Sequence, residues 1–137
     1  MRHTTTLLTA CLLAVTAVGC SKSDDDKAKG CATALTERTG GDSANEPSVR
    51  GAEERVEAFD KTLAGMVRSG YDSVAKDAFD AMEEKTEAGE KKRPEACEPL
   101  SEDDYNTLLI SETIGGLGWT DEDGQFDKLK MMEGLGN

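Results

Sequence analysis

The sequence predicts an all-α protein, a small bundle of three to four helices preceded by a flexible tether. Three observations carry that expectation. After residue 46 the apolar residues recur at spacings of three and four, as one face of a helix requires. Gly and Pro punctuate the ends of those runs. No stretch alternates with period two, and no internal repeat or Gly-rich phosphate loop breaks the pattern.

Taken in order, the chain opens on Arg2 and His3, then the 12-residue apolar run 7–18, then the acidic Ser21-Lys22-Ser23-Asp24-Asp25-Asp26. A charged start, a short apolar stretch and a small-residue boundary mark residues 1–19 as an export signal. As a helix the run would be about 18 Å long against roughly 30 Å of bilayer hydrocarbon, too short to span it. It ends on Ala17-Val18-Gly19-Cys20, with Ala17 where Leu is usual, and this motif resembles the lipobox of bacterial lipoproteins. The resemblance covers the first 20 residues. It implies cleavage before Cys20 and a diacylglycerol on the Cys20 thiol, which would hold the protein on the outer face of a membrane. Leu8-Thr9-Ala10-Cys11 also fits the letters, but it leaves only Leu7 and Leu8 as apolar lead. Cleavage after Ala17, at Val15-Thr16-Ala17, would instead release a freely secreted protein.

Beyond Cys20 lie all 28 acidic residues and 15 of the 16 Lys and Arg, a net charge of −13. Such a body is repelled by anionic headgroups and by phosphates, so nucleic acid is not an expected partner. Contact with the membrane would rest on the acyl chains at Cys20, since two or more chains suffice for stable anchoring. The single histidine, His3, leaves with the signal. A chain without imidazole has no Ser-His-Asp or Cys-His site and no histidine ligands for zinc or haem. No cofactor is expected.

Given that anchor, with Cys11 removed and Cys20 acylated, Cys31 and Cys97 remain. A pair in an oxidising compartment reads as one disulfide. Their wide separation is unlike a Cys-x-x-Cys redox or metal pair.

Residues 20–46 read as the acidic tether. Up to Gly30 it has no apolar residue larger than Ala, and Gly40-Gly41-Asp42-Ser43 is loop chemistry, with at most a short helical stretch over 32–37. The helical domain is 47–137 and opens with an αα-hairpin over 47–93. Val49, Ala52, Val56, Phe59, Leu63 and Met66 make one apolar stripe, with Asn45 as cap, Pro47 in the first turn and Gly70 just past the end. Tyr71, Val74, Ala75, Ala78, Phe79 and Met82 make the facing stripe. Lys91-Lys92-Arg93 would cap its C-terminal end. Pro94 to Pro99 is a stiff linker carrying Cys97. A third helix over 101–114 starts at Ser101-Glu102-Asp103-Asp104, buries Tyr105, Leu108, Leu109 and Ile114, and breaks at Gly115-Gly116. A last short helix over 121–133 would begin at Thr120-Asp121-Glu122-Asp123, turn Phe126, Leu129, Met132 and Leu135 inward, and stop at Gly134, with Trp119 plugging the joint.

Asp121-Glu122-Asp123-Gly124 and Asp127 suggest a calcium loop. In an EF-hand frame with Gly124 at position 6, however, Trp119 falls at position 1 and Lys130 at position 12, where oxygen ligands belong. Acids at a helix start account for the same residues, so no metal ligands are assigned. Asp24-Asp25-Asp26 reads as solvated tether. Paired carboxylates for hydrolysis carry no specificity among 28 acids, and no catalytic residues are assigned. The expectation is a membrane-anchored extracytoplasmic lipoprotein, a non-enzymatic interaction or structural module with a protein partner in the envelope. The alternative is a small-ligand or cation-binding lipoprotein using its acidic surface. The stripe Val56-Phe59-Leu63-Met66 reads first as core and second as a groove or partner-helix seam, which leaves homo-oligomers open.

Overall fold

The computed structural model describes residues 23–41, 47–89 and 92–136. Among these residues five α-helices follow in chain order: α1 Asp24–Thr39, α2 Val49–Arg68, α3 Asp72–Gly89, α4 Glu102–Gly116 and α5 Lys128–Leu135. A 3₁₀ turn at Glu95–Cys97 lies between α3 and α4. The fold is all-α with one disulfide, and the helix count is five rather than three to four. The signal 1–19, the lipobox Ala17-Val18-Gly19-Cys20, Cys11, the Asn45 cap and Lys91 lie outside the described residues. Among the described residues no helix is long and apolar enough to cross a membrane.

Helix α1 is the main correction, because its 16 residues fall inside the expected tether. The Ser23 side chain accepts from the Asp26 N–H, and Asp24, Asp25 and Asp26 face the positive end of the helix dipole. Ala28, Cys31, Ala32, Leu35 and Thr39 form its buried face. That face is built of small side chains with one large apolar residue, Leu35. It folds because it lies against α4 and is bonded to the 3₁₀ turn. The Cys31–Cys97 bond brings the two Cα atoms to 4.5 Å, and both cysteines are fully buried.

Helix α2 follows the expected stripe, burying Ala52, Phe59 and Met66, with Ser48 rather than Asn45 accepting from the Gly51 N–H as cap. Its end is a Schellman turn. Tyr71 N–H bonds to Met66 O and Gly70 N–H to Val67 O, with Gly70 at φ 81° where an L side chain is strained. Helix α3 turns Ala75, Ala78 and Met82 inward. Tyr71 and Phe79, expected in the core, are exposed at 59 % and 56 %. Phe79 follows Ala78 by one residue, about 100° further round the helix, so it falls to the side of the inward face.

The basic run before Pro94 does not cap α3, which ends at Gly89. Arg93 instead clamps the next turn. Its guanidinium donates to the Cys97 and Leu100 carbonyls and stacks 4.7 Å from the Tyr105 ring centroid. Helix α4 starts as expected, with Ser101 accepting from the Asp104 N–H, but it runs through Gly115 to Gly116 instead of breaking there.

Beyond it, Trp119 is buried with its ring centroid 6.0 Å from that of Phe59. Residues 121–126 are not helical. Thr120 and Phe126 form an isolated antiparallel bridge around a turn, and Asp121 Oδ1 accepts from the Asp123 and Gln125 N–H groups at 3.0 and 2.8 Å. Asp127 caps α5, accepting from the Leu129 and Lys130 N–H groups. That later start rotates the inward position to Met131, so Leu129 (72 % exposed) and Met132 face outward. Phe126 and Leu135 sit half-buried at the core margin, and Gly134 lies inside α5.

The core has two clusters. One surrounds the disulfide and contains Ala28, Leu35, Ala52, Leu100, Tyr105 and Leu108. The other gathers Phe59, Met66, Ala78, Met82, Ile114, Trp119 and Met131.

Candidate functional site

Among the concave features on this frame, two combine charged side chains with residues of α2 and α4. The first is an open groove of about 380 Å³ between α2, α3 and α4. Its floor is apolar: Val56 and Phe59 from α2, Met82 from α3 and Ile110 from α4, with the half-exposed Phe79 standing along one wall. These side chains converge because the stripes of α2 and α3 face one another across the hairpin and α4 closes the bottom. Three carboxylates, Asp60, Glu83 and Glu87, belong to the same lining, and among the described residues no Lys or Arg does. Glu83 and Glu87 are one turn apart on α3, so they share a face. Covering Phe79 would bury the 56 % of it that is exposed, a gain of about 1–1.5 kcal/mol.

The second is a polar cavity of about 60 Å³ where α2, α4 and the 120–126 loop meet, lined by Arg55, Ser111, Glu112, Asp123 and Gln125 among others. Arg55 Nη1 donates to Ser111 O and Oγ at 3.1 and 2.9 Å. Thr36 Oγ1 of α1 donates to Glu112 Oε2 at 2.9 Å. Both charged residues are buried, and Arg55 Nε has no hydrogen-bond partner. Burial pushes the Glu112 carboxyl above its ordinary value, against the Thr36 hydrogen bond and the Arg55 charge that hold it down. Burial likewise lowers Arg55, while Glu112 and Asp121 raise it. The cluster cross-ties α1, α2 and α4.

The acidic loop is closed by its own groups. Asp121 Oδ1 is held by two backbone N–H groups, and Lys130 Nζ donates to Thr120 O at 2.7 Å, placing an ammonium at the loop where an EF-hand carries a carboxylate. Among the described residues no group of three or more His, Cys, Asp or Glu is placed to hold a metal ion.

Of the residues singled out from sequence, the structure joins Cys31 to Cys97, and Cys20 lies outside the described residues. Sequence reasoning missed Arg55 and Glu112. The available signal was their phase: Arg55 lies three after Ala52, and Glu112 three after Leu109 and seven after Tyr105, both on inward stripes. Val56 and Phe59, read from sequence first as core and second as a groove or partner seam, line the groove, and Phe79, assigned to the core, stands beside them. No family model, no curated protein and no solved structure matches this chain.

Proposed function

We propose that this chain is a membrane-anchored extracytoplasmic lipoprotein, held through an acylated Cys20, whose helical domain is a non-enzymatic interaction module of the cell envelope. The observation that carries the interaction reading is the groove, an apolar floor left open beside a half-exposed Phe79. Export is supported by the buried Cys31–Cys97 bond, since disulfides persist in oxidising compartments. The lipobox resemblance of Ala17-Val18-Gly19-Cys20 supports the mode of attachment. The strongly acidic body has no polybasic surface with which to stay on a membrane unaided.

The test is Cys20→Ala, followed by metabolic labelling with a fatty-acid analogue and by partitioning between detergent and aqueous phases. The parent protein should carry label and enter the detergent phase, and the variant should do neither. Labelled variant protein in the detergent phase would contradict attachment at Cys20.

A further inference from the structure

We propose that the groove between α2, α3 and α4 receives a cationic amphipathic helix of another exported protein. The inference rests on the reading of this chain as an interaction module and names the chemistry of the partner.

The floor calls for apolar side chains at helical spacing. Val56, Phe59 and Met82 line a trough between two antiparallel helices, and that shape accepts a third helix along it, anchored at i, i+3, i+4 and i+7. The rim then selects by charge. Asp60, Glu83 and Glu87 stand at the trough, with no cation in the lining among the described residues. An incoming helix with Lys or Arg flanking its apolar stripe would satisfy the floor and the rim together, whereas an acidic helix would bring like charges face to face.

The same charges argue against the other occupants. A second copy carries net charge −13 beyond Cys20 and would present the same acidic rim. Anionic headgroups and nucleic acid phosphates are repelled for the same reason. The groove volume of about 380 Å³ admits a few side chains at a time, which suits anchors on a helix.

The test uses the whole protein in neutral phosphatidylcholine vesicles and two helical peptides with the same Leu and Phe stripe, one with Lys on the remaining face and one with Glu. Empty vesicles give the background. The Lys peptide should bind at least about tenfold more tightly than the Glu peptide. Phe79→Ser should weaken it by about tenfold, as should Glu83→Gln with Glu87→Gln. Asp25→Asn with Glu122→Gln, which removes two charges remote from the groove, should leave affinity within about twofold. All these positions are exposed, and circular dichroism melting checks that each variant stays folded.

Equal affinity for both peptides with Phe79 dependence would overturn the cationic partner and leave the groove as an interaction site. If Phe79→Ser has no effect, or if both acid pairs matter equally, binding is diffuse attraction to an acidic body and both readings fall. Failure of the Lys peptide to bind overturns the proposal, and so does a dimer abolished by Phe79→Ser, which would make a second copy the occupant.

Discussion

Gly116 of α4 lies against the Thr39 carbonyl at the end of α1, so closely that a Cβ there would fall well inside van der Waals contact with that oxygen. The absence of a side chain is what lets the ends of α1 and α4 meet, and it explains why α4 keeps its helical course through a Gly-Gly pair. Gly116→Ala is therefore expected to destabilise the protein by about 1–3 kcal/mol, the range for overpacking a tight contact. Gly65→Ala in α2, where an added Cβ meets nothing within 4 Å, should stabilise by about 0.5–1 kcal/mol through helix propensity. Urea unfolding of the two variants checks the contrast in sign.

The disulfide joins residues 66 positions apart and fixes α1, which has few large apolar contacts of its own. Replacing both Cys31 and Cys97 by Ala should cost about 4 kcal/mol on the loop-entropy model, a large share of the 5–15 kcal/mol typical of small domains. Urea unfolding of oxidised and double-variant protein measures the difference. A loss below about 1 kcal/mol would mean that packing alone holds α1.

Glu112 gives a pH dependence with a definite sign. Its folded pKa is raised, chiefly by burial, so the native state holds the proton more tightly than the unfolded chain does. Through the interval from the unfolded to the folded pKa, unfolding releases that proton, and stability falls as pH rises. Glu112→Gln keeps an acceptor for Thr36 Oγ1 without a buried charge. The variant should therefore gain stability relative to the parent as pH rises through the carboxylate range, then hold a constant offset above it. A relative loss on the same titration would show that attraction to Arg55 outweighs desolvation.

Much of the frame was legible in the sequence where large apolar residues keep helical spacing. α2, α3 and α4 were read from Val56, Phe59, Met82 and Leu108 because those side chains must be buried and the period says how. α1 was not, because Ala28, Cys31 and Ala32 are too small to register as a stripe. Yet Ser23-Asp24-Asp25-Asp26 is the same start signal that identified α4 at Ser101-Glu102-Asp103-Asp104. Side-chain chemistry in the turn decided α5. Asp121 spends its carboxylate on closing a loop and Asp127 takes the cap, a difference of six positions that no periodicity over eight helical residues reveals.

The candidate site was less legible for a related reason. A half-exposed Phe79 and a buried Phe59 look alike in a sequence, and only their places on α3 and α2 in the packed bundle separate them. The Arg55–Glu112 cluster was hidden by the assumption that charges face water. Its tertiary partners, Ser111 and Thr36, lie 56 and 76 positions away respectively.

The account stands or falls on how the N-terminus is processed and attached. Mass spectrometry of the N-terminal peptide of protein recovered from cells reads this directly. A peptide beginning at Cys20 and heavier by a diacylglycerol is the predicted result. An intact Met1, or an unacylated start at Val18, would contradict a lipid-anchored module.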